Sequence, residues 1–203
     1  MSQKQTMRWK ARALDCAALA FWAGLAGRSL WILIHAASLQ QVGLFVFNLL
    51  AALLCAIRRP ATASGPGAVG AWLTMLLPLV SLQPPAPGTI ADPPVLAVQA
   101  VGLAGMLLAL LALGRSFGIA PARRELVTRG AYRVVRHPLY ASEIVAIGGY
   151  VAGAASAWNV TALAVFIVGQ ISRVCLEEKL LSGDLEYQAY CGQVVWRLMP
   201  GVW

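Results

Sequence analysis

Charged side chains are scarce in this chain, since only 12% of its 203 residues are Asp, Glu, Lys or Arg. A soluble globular protein carries roughly 25% of such residues. Hydrophobic residues make up 59% of the sequence, and the mean hydropathy is +0.70. These values exclude an ordinary soluble domain and predict an integral membrane protein whose core is a bundle of membrane-spanning helices.

Cysteine, histidine and acidic residues are also few. The four cysteines (Cys16, Cys55, Cys175 and Cys191) have neither metal-ligand spacing nor the pattern of a disulfide framework, so we expect no metal site. The net charge is +8, which in a soluble domain would suggest nucleic acid. In a membrane protein we expect this charge to face anionic lipid headgroups, so the expected partners are membrane lipids and not nucleic acid.

Long apolar stretches predict four spanning helices, at residues 13–34, 39–57, 68–82 and 95–113. The third stretch is short and contains Pro78, whereas a hydrocarbon core about 30 Å thick needs about 20 helical residues. The first stretch contains Arg28. That arginine either extends to the membrane surface or contacts a substrate or another helix.

A second apolar region predicts a helical hairpin. Residues 144–172 contain no charge, and one straight helix of that length would measure about 43 Å. The sequence Gly-Ala-Ala-Ser-Ala-Trp-Asn at 153–159 weakens a helix in the middle of this region. We therefore predict helices near 140–154 and 158–178, followed by an amphipathic tail. The predicted fold class is an all-α integral membrane protein with four spanning helices plus this C-terminal helical hairpin.

The basic residues predict the topology. Every Lys and Arg except Arg28 lies in the N-terminal segment, at 58–59, in 115–136 or from 173 onward. Four spans plus a hairpin place these segments on one face, which the positive-inside rule makes cytoplasmic. We thus expect a multi-pass protein with a cytoplasmic N-terminus and a cytosolic-face site. The alanine- and arginine-rich composition suggests a bacterial inner membrane.

The chain divides into N-terminal transmembrane helices, residues 1–114, and a region with polar segments, residues 115–203. The latter holds His137 between Tyr132 and Tyr140. Further on, Arg173 and Glu177 are spaced i, i+4 and share a helix face. This pair is either an exposed ion pair at a helix end or a site that grips the carboxylate and ammonium of an amphiphile.

Glu143 follows Tyr140 by one helical turn. It is equally compatible with a supporting role in that site and with a simple position at headgroup level. Composition and spacing alone therefore predict a polar site for an amphiphile at the cytosolic membrane face.

Several motifs occur together in residues 115–203: Leu126 to Tyr132, Arg136-His137-Pro138-Leu139-Tyr140, Arg173, Glu177-Glu178, and a tail with Tyr187, Tyr190, Arg197 and Pro200. In this combination they resemble the isoprenylcysteine carboxyl methyltransferase family and its phospholipid-methyltransferase relatives. The resemblance implies S-adenosylmethionine as the methyl donor. It implies a cofactor site formed by Arg124, Glu125, Leu126, Val127, Tyr132, His137, Pro138, Leu139, Tyr140 and Glu177.

The resemblance also implies that Arg173 is the catalytic residue and orients an acceptor carboxylate. The expected substrate is a lipophilic, possibly prenylated molecule that enters from the bilayer, with an isoprenylcysteine-type carboxylate favoured. A phospholipid amine and a small thiol stay open as acceptors, and the oligomeric state is open as well. The Arg-His-Pro motif and the tail also resemble NADPH-dependent sterol reductases, and a non-enzymatic membrane protein of the same fold is the remaining alternative.

Overall fold

The structure, a computed structural model, describes residues 3–35, 38–57, 68–86, 91–114 and 126–203. Within these ranges the chain is helical and contains no strand, which confirms the all-α prediction. The α-helices are α1 (Gln3–His35), α2 (Leu39–Ile57), α3 (Ala68–Ser81), α4 (Pro93–Leu113), α5 (Pro138–Gly153), α6 (Ala157–Leu181) and α7 (Leu185–Gln193). One 3₁₀ helix, Gly130–Arg133, precedes α5.

Four helices of the described chain are long and apolar enough to cross a membrane: Cys16–His35 of α1, Leu39–Ile57, Pro93–Leu113 and Ala157–Leu181. Three of them coincide with predicted spans, and the fourth is the second helix of the predicted hairpin. The helix α3, predicted as a short span, has only 14 residues and contains Pro78. The exposed Leu, Val and Ile side chains along α2, α4 and α6 suit contact with lipid.

The predicted hairpin of α5 and α6 is present, and its turn lies at residues 154–156. The Ser156 side chain caps α6 by accepting a hydrogen bond from the Asn159 amide at 3.1 Å. Helix α5 begins at Pro138, a position where proline costs no helical hydrogen bond. The hairpin therefore brings the start of α5 and the end of α6 to the same end of the bundle.

A buried polar network holds the opposite end of the bundle together. The Asn159 side chain accepts a hydrogen bond from the backbone amide of Gln83 at 2.9 Å and donates one to the backbone carbonyl of Gln83 at 3.0 Å. The Tyr150 hydroxyl donates to that same carbonyl at 3.1 Å and accepts from Gln41 at 2.9 Å. Nearby, Arg28 donates to the Leu82 carbonyl at 2.9 Å, so its contact is with the segment after α3.

Glycines allow α4 and α5 to pack at very short distance. A Cβ atom added at Gly149 of α5 would lie 2.6 Å from the Gln99 backbone nitrogen of α4. One added at Gly105 of α4 would lie 2.6 Å from the Ser142 hydroxyl of α5. In lipid the hydrophobic effect does not drive helices together, so their association depends on close packing. Small residues such as these glycines allow that close approach. The placement of α5, and with it the start of the hairpin, depends on this contact.

Two neighbouring glycines test this dependence. Gly149→Ala should destabilise the protein by about 1–3 kcal/mol, because the new methyl group forces α4 and α5 apart. Gly148→Ala is the matched control, because an added Cβ meets nothing within 4 Å there. That control should be neutral or stabilising by about 0.5–1 kcal/mol through helix propensity. Thermal unfolding in detergent measures both, and equal melting temperatures for the two variants would contradict the packing argument.

Candidate functional site

The site begins where the chain enters α5. Gly130 has a φ of 62°, a left-handed conformation that favours glycine, and it starts the 3₁₀ helix. The Arg129 side chain donates to the Ala112 carbonyl at 3.2 Å and so ties this segment to the end of α4. His137 then precedes the first residue of α5, and Pro138, Leu139 and Tyr140 are all buried. The rigid start of a helix thus fixes the Arg-His-Pro motif.

Tyr140 is the residue around which the candidate site is built. Its hydroxyl donates to Oε2 of Glu177 at 2.9 Å. Its ring is parallel to the His137 ring, at an interplanar angle of 5° and a centroid distance of 5.6 Å. The Arg173 guanidinium carbon lies 4.2 Å from the centroid of the same ring, a cation–π contact. One tyrosine thereby joins the aromatic, acidic and basic parts of the site.

Arg173 is buried, with 2% of its side chain exposed, and belongs to a polar cluster between α5 and α6. Its Nη1 atom donates to Oε1 of Gln170 at 2.7 Å and lies 3.6 Å from Oε2 of Glu143. Gln170 donates from its amide nitrogen to that same Glu143 carboxylate. The alternative of an exposed ion pair at a helix end therefore does not hold for Arg173. Glu143, left open by the sequence, is a buried partner of this arginine.

A second cluster surrounds Glu178 and attaches the C-terminal tail. Oε1 of Glu178 lies 2.9 Å from Nη1 of Arg136, and Oε2 accepts from Nε of Arg197 at 2.7 Å. Nε2 of His137 lies 3.4 Å from Oε1 of the same carboxylate. The backbone amides of Arg136 and His137 donate to the carbonyls of Trp196 and Arg197 at 2.8 and 2.9 Å. The tail is thus paired with the Arg-His-Pro motif through side chains and backbone.

Helix α7 supports Tyr132 from the tail side. The Tyr190 hydroxyl donates to the Tyr132 carbonyl at 2.7 Å. Burial raises the pKa of Tyr190 to about 12, so this hydroxyl keeps its proton at physiological pH. Burial also raises the pKa of Tyr132 well above its ordinary value, and the nearby Tyr140 and Glu177 add to the rise. The pKa of Tyr132 is thus influenced by two of the predicted site residues.

The structure brings together four of the predicted site residues, namely His137, Tyr140, Arg173 and Glu177. Pro138 and Leu139 are buried beside them as the first turn of α5. Leu126 packs on the cluster of Tyr187, Tyr190 and Val194, and Val127 packs on the main core. The predicted residues Arg124 and Glu125 lie outside the described part of the chain.

Sequence reasoning missed Gln170 and gave no role to Arg136 and Glu178. Gln170 lies in a long stretch without charge, where a single amide side chain is a weak signal. The available signal was its position one helical turn before Arg173, on the same face of α6. For Glu178, the signal was the presence of two adjacent acidic residues at the end of an apolar helix.

These groups are suited to a zwitterionic ligand that carries an aromatic part. The Glu177 side chain is 22% exposed and can accept further hydrogen bonds from an ammonium group. Both ring nitrogens of His137 face carboxylates: Nδ1 lies 3.8 Å from Oε2 of Glu177, and Nε2 lies 3.4 Å from Oε1 of Glu178. Among the described residues no group of three His, Cys, Asp or Glu side chains is arranged to hold a metal. The arrangement can bind and orient a ligand by charge, hydrogen bonds and stacking.

Comparison with known proteins finds one family that covers the region of this site. Residues 97–185 match the family model described as phospholipid methyltransferase. The matched region runs from α4 to the first residue of α7 and includes the Tyr140 site. No curated protein matches the chain. The family match confirms the resemblance to membrane methyltransferases over residues 97–185, and the four helices that are long and apolar enough to cross a membrane agree with a multi-pass membrane protein.

Proposed function

We propose that this protein transfers a methyl group from S-adenosylmethionine to a lipophilic acceptor at the membrane surface. The favoured reaction is carboxyl O-methylation of an isoprenylcysteine-type substrate that enters from the bilayer. The observation that carries this proposal is the convergence of Glu177, His137 and Arg173 on the single ring of Tyr140. A carboxylate, a guanidinium and two aromatic rings thus lie together within the region that the family model matches.

The donor would be held by residues of this chain with matching chemistry. Glu177 would bind the donor's ammonium group, and the hydrogen bond from Tyr140 fixes the orientation of that carboxylate. The rings of His137 and Tyr140 would provide the aromatic surface for the sulfonium and the adenine. The Glu177 charge contributes to the raised pKa of Tyr132. When bound, S-adenosylmethionine supplies an electrophilic methyl group on sulfur.

The acceptor would be oriented by Arg173. A guanidinium presents its donors in a planar fork that suits a carboxylate. A carboxylate is already nucleophilic, so this chain needs no general base to remove a proton from it. The work of the site is then to position the acceptor and exclude water, and precise positioning can supply a large part of the rate. The burial of Arg173 supports such a role, because the charge acts in a medium of low polarity.

One observation favours a second acceptor class. The buried Glu143 carboxylate already offsets the charge of Arg173. A charge-compensated guanidinium suits a neutral acceptor, such as the amine of a phospholipid or a small thiol, better than a free cation would. The description of the matched family as phospholipid methyltransferase points the same way. The assay therefore includes acceptors of both classes.

The proposal is tested by ligand binding and turnover in detergent. S-Adenosylhomocysteine should bind in calorimetry, and NADPH should not, since a reductase of the sterol type would show the reverse. Glu177→Gln should lose affinity for S-adenosylhomocysteine, because an amide attracts an ammonium less than a carboxylate does. Arg173→Lys should keep that affinity and lose on the order of 10²-fold in turnover of a prenylcysteine analogue, because lysine lacks the planar fork.

Glu186→Gln is the control, because Glu186 is exposed on α7 and touches none of the site residues named above. It should match the wild-type protein in both measurements. Wild-type turnover by Arg173→Lys would remove the carboxylate-orienting role and favour an amine or thiol acceptor. Binding of NADPH without binding of S-adenosylhomocysteine would contradict the methyltransferase proposal as a whole.

The orientation of the site in the membrane is a separate prediction. We expect the Glu178 end of the bundle to face the cytoplasm, because the basic residues cluster there. In a variant without the native cysteines, Cys introduced at Gly183 should react with a membrane-impermeant reagent only from the cytoplasmic side. Cys introduced at Ala155, in the turn between α5 and α6, should react only from the opposite side. Labelling of both positions from one side would contradict the hairpin topology in the membrane.

A further inference from the structure

We propose that Gln170 and Glu143 are positioning residues that fix the Arg173 guanidinium over the Tyr140 ring and thereby set the rate of methyl transfer to the acceptor. This inference rests on the proposed function, in which Arg173 orients the acceptor. It assigns a role to two buried polar side chains in the spanning region, beyond Tyr140 and the three residues that converge on it.

The depth of Arg173 in α6 makes partners necessary. Arg173 lies eight residues before Leu181, the end of the helix, which corresponds to about 12 Å along the helix axis. A guanidinium at that depth is expensive unless it is paired inside the bundle. Glu143 provides a carboxylate 3.6 Å from Nη1, and it comes from the other arm of the hairpin. The position of Arg173 is therefore set jointly by α5 and α6.

Gln170 gives this pair a defined geometry. Its amide oxygen accepts from Arg173 at 2.7 Å, and its amide nitrogen donates to Glu143. The oxygen and the nitrogen of the Gln170 amide are thus both bonded. If the amide rotated or Arg173 adopted another rotamer, the contacts with Arg173 and Glu143 could not both be kept. Gln170 has 0% exposure and Glu143 has 6%, which leaves water little access to replace either partner.

The function of this rigidity follows from what lies on the other side of the guanidinium. Arg173 contacts the Tyr140 ring at 4.2 Å, and Tyr140 also holds Glu177. A guanidinium that shifted away from Tyr140 would leave the donor site intact but misplace the acceptor. The chain thus separates two tasks: Glu177 and His137 serve donor binding, whereas Gln170 and Glu143 serve the alignment of the acceptor through Arg173.

The first test is Gln170→Met, which keeps the volume of the side chain and the Glu143–Arg173 pair but removes the bridge. It should lower kcat about 10- to 100-fold, by analogy with other small misplacements of a reacting group. Its affinity for S-adenosylhomocysteine should stay within about twofold of the affinity of the wild-type protein. Gln41→Met is the matched control, since Gln41 is equally buried but bonds to Tyr150, further along α5. Gln41→Met should keep the wild-type kcat.

The second test exchanges the two partners. Glu143→Gln removes the carboxylate that pairs with Arg173 and should impair turnover and lower the melting temperature. The double variant Glu143→Gln with Gln170→Glu restores one carboxylate and one amide in exchanged positions. It should recover at least about tenfold in kcat over Glu143→Gln alone, since the guanidinium again has a fixed partner set.

The outcomes separate this inference from the proposed function. Failure of the wild-type protein to bind S-adenosylhomocysteine or to methylate any acceptor of either class would overturn the proposed function, and this inference with it. With a functional wild type, an unchanged kcat for Gln170→Met would overturn the positioning role alone. So would a loss of donor affinity in proportion to the loss of kcat, because a general disturbance of the site would produce that result.

Discussion

The interior of a bilayer offers no water, so every polar group inside the bundle must find its partner within the protein. This constraint accounts for the polar contacts that connect the helices. The hairpin arms α5 and α6 meet through Glu143, Gln170 and Arg173. The opposite end of the bundle is held by Asn159 and Tyr150 on the carbonyl of Gln83. Apolar packing fills the space between these points, but the polar contacts decide which turn of one helix faces which turn of another.

The same constraint explains why an active site can be built in such a place. Charges that would be screened in water act strongly where the surroundings have low polarity. Arg173 is compensated by Glu143, while Glu177 remains partly exposed at the end of its helix. Along α6 the site thus changes from the buried Arg173 to the partly exposed Glu177. The proposed reaction would use this difference, with the lipophilic acceptor at the buried part and the charged donor at the exposed part.

The sequence predicted the helices well, because hydropathy and helix-weakening residues act locally. The turn at 154–156 was predicted from the Gly-Ala-Ala-Ser patch, and the hairpin predicted that His137 and Glu177 lie at the same membrane face. The role of Gln170 and Glu143 could not be predicted, because it depends on the rotation and register of α5 against α6. That register is set by contacts between residues far apart in the chain, such as Gln170 with Glu143, and these leave no periodic signal in the sequence. Arg28 shows the same limit, since its partner, the Leu82 carbonyl, is 54 residues away.

The pairing of the tail with the Arg-His-Pro motif has a consequence for the order of folding. The amides of Arg136 and His137 bond to carbonyls of residues 196 and 197, about 60 positions later in the chain. Loop closure over such a distance carries an entropic cost that the contacts of Glu178 with Arg136 and Arg197 help to offset. The proposed donor site would therefore be complete only once the tail has docked, and a ligand that binds only the docked form would stabilise the docked tail by mass action.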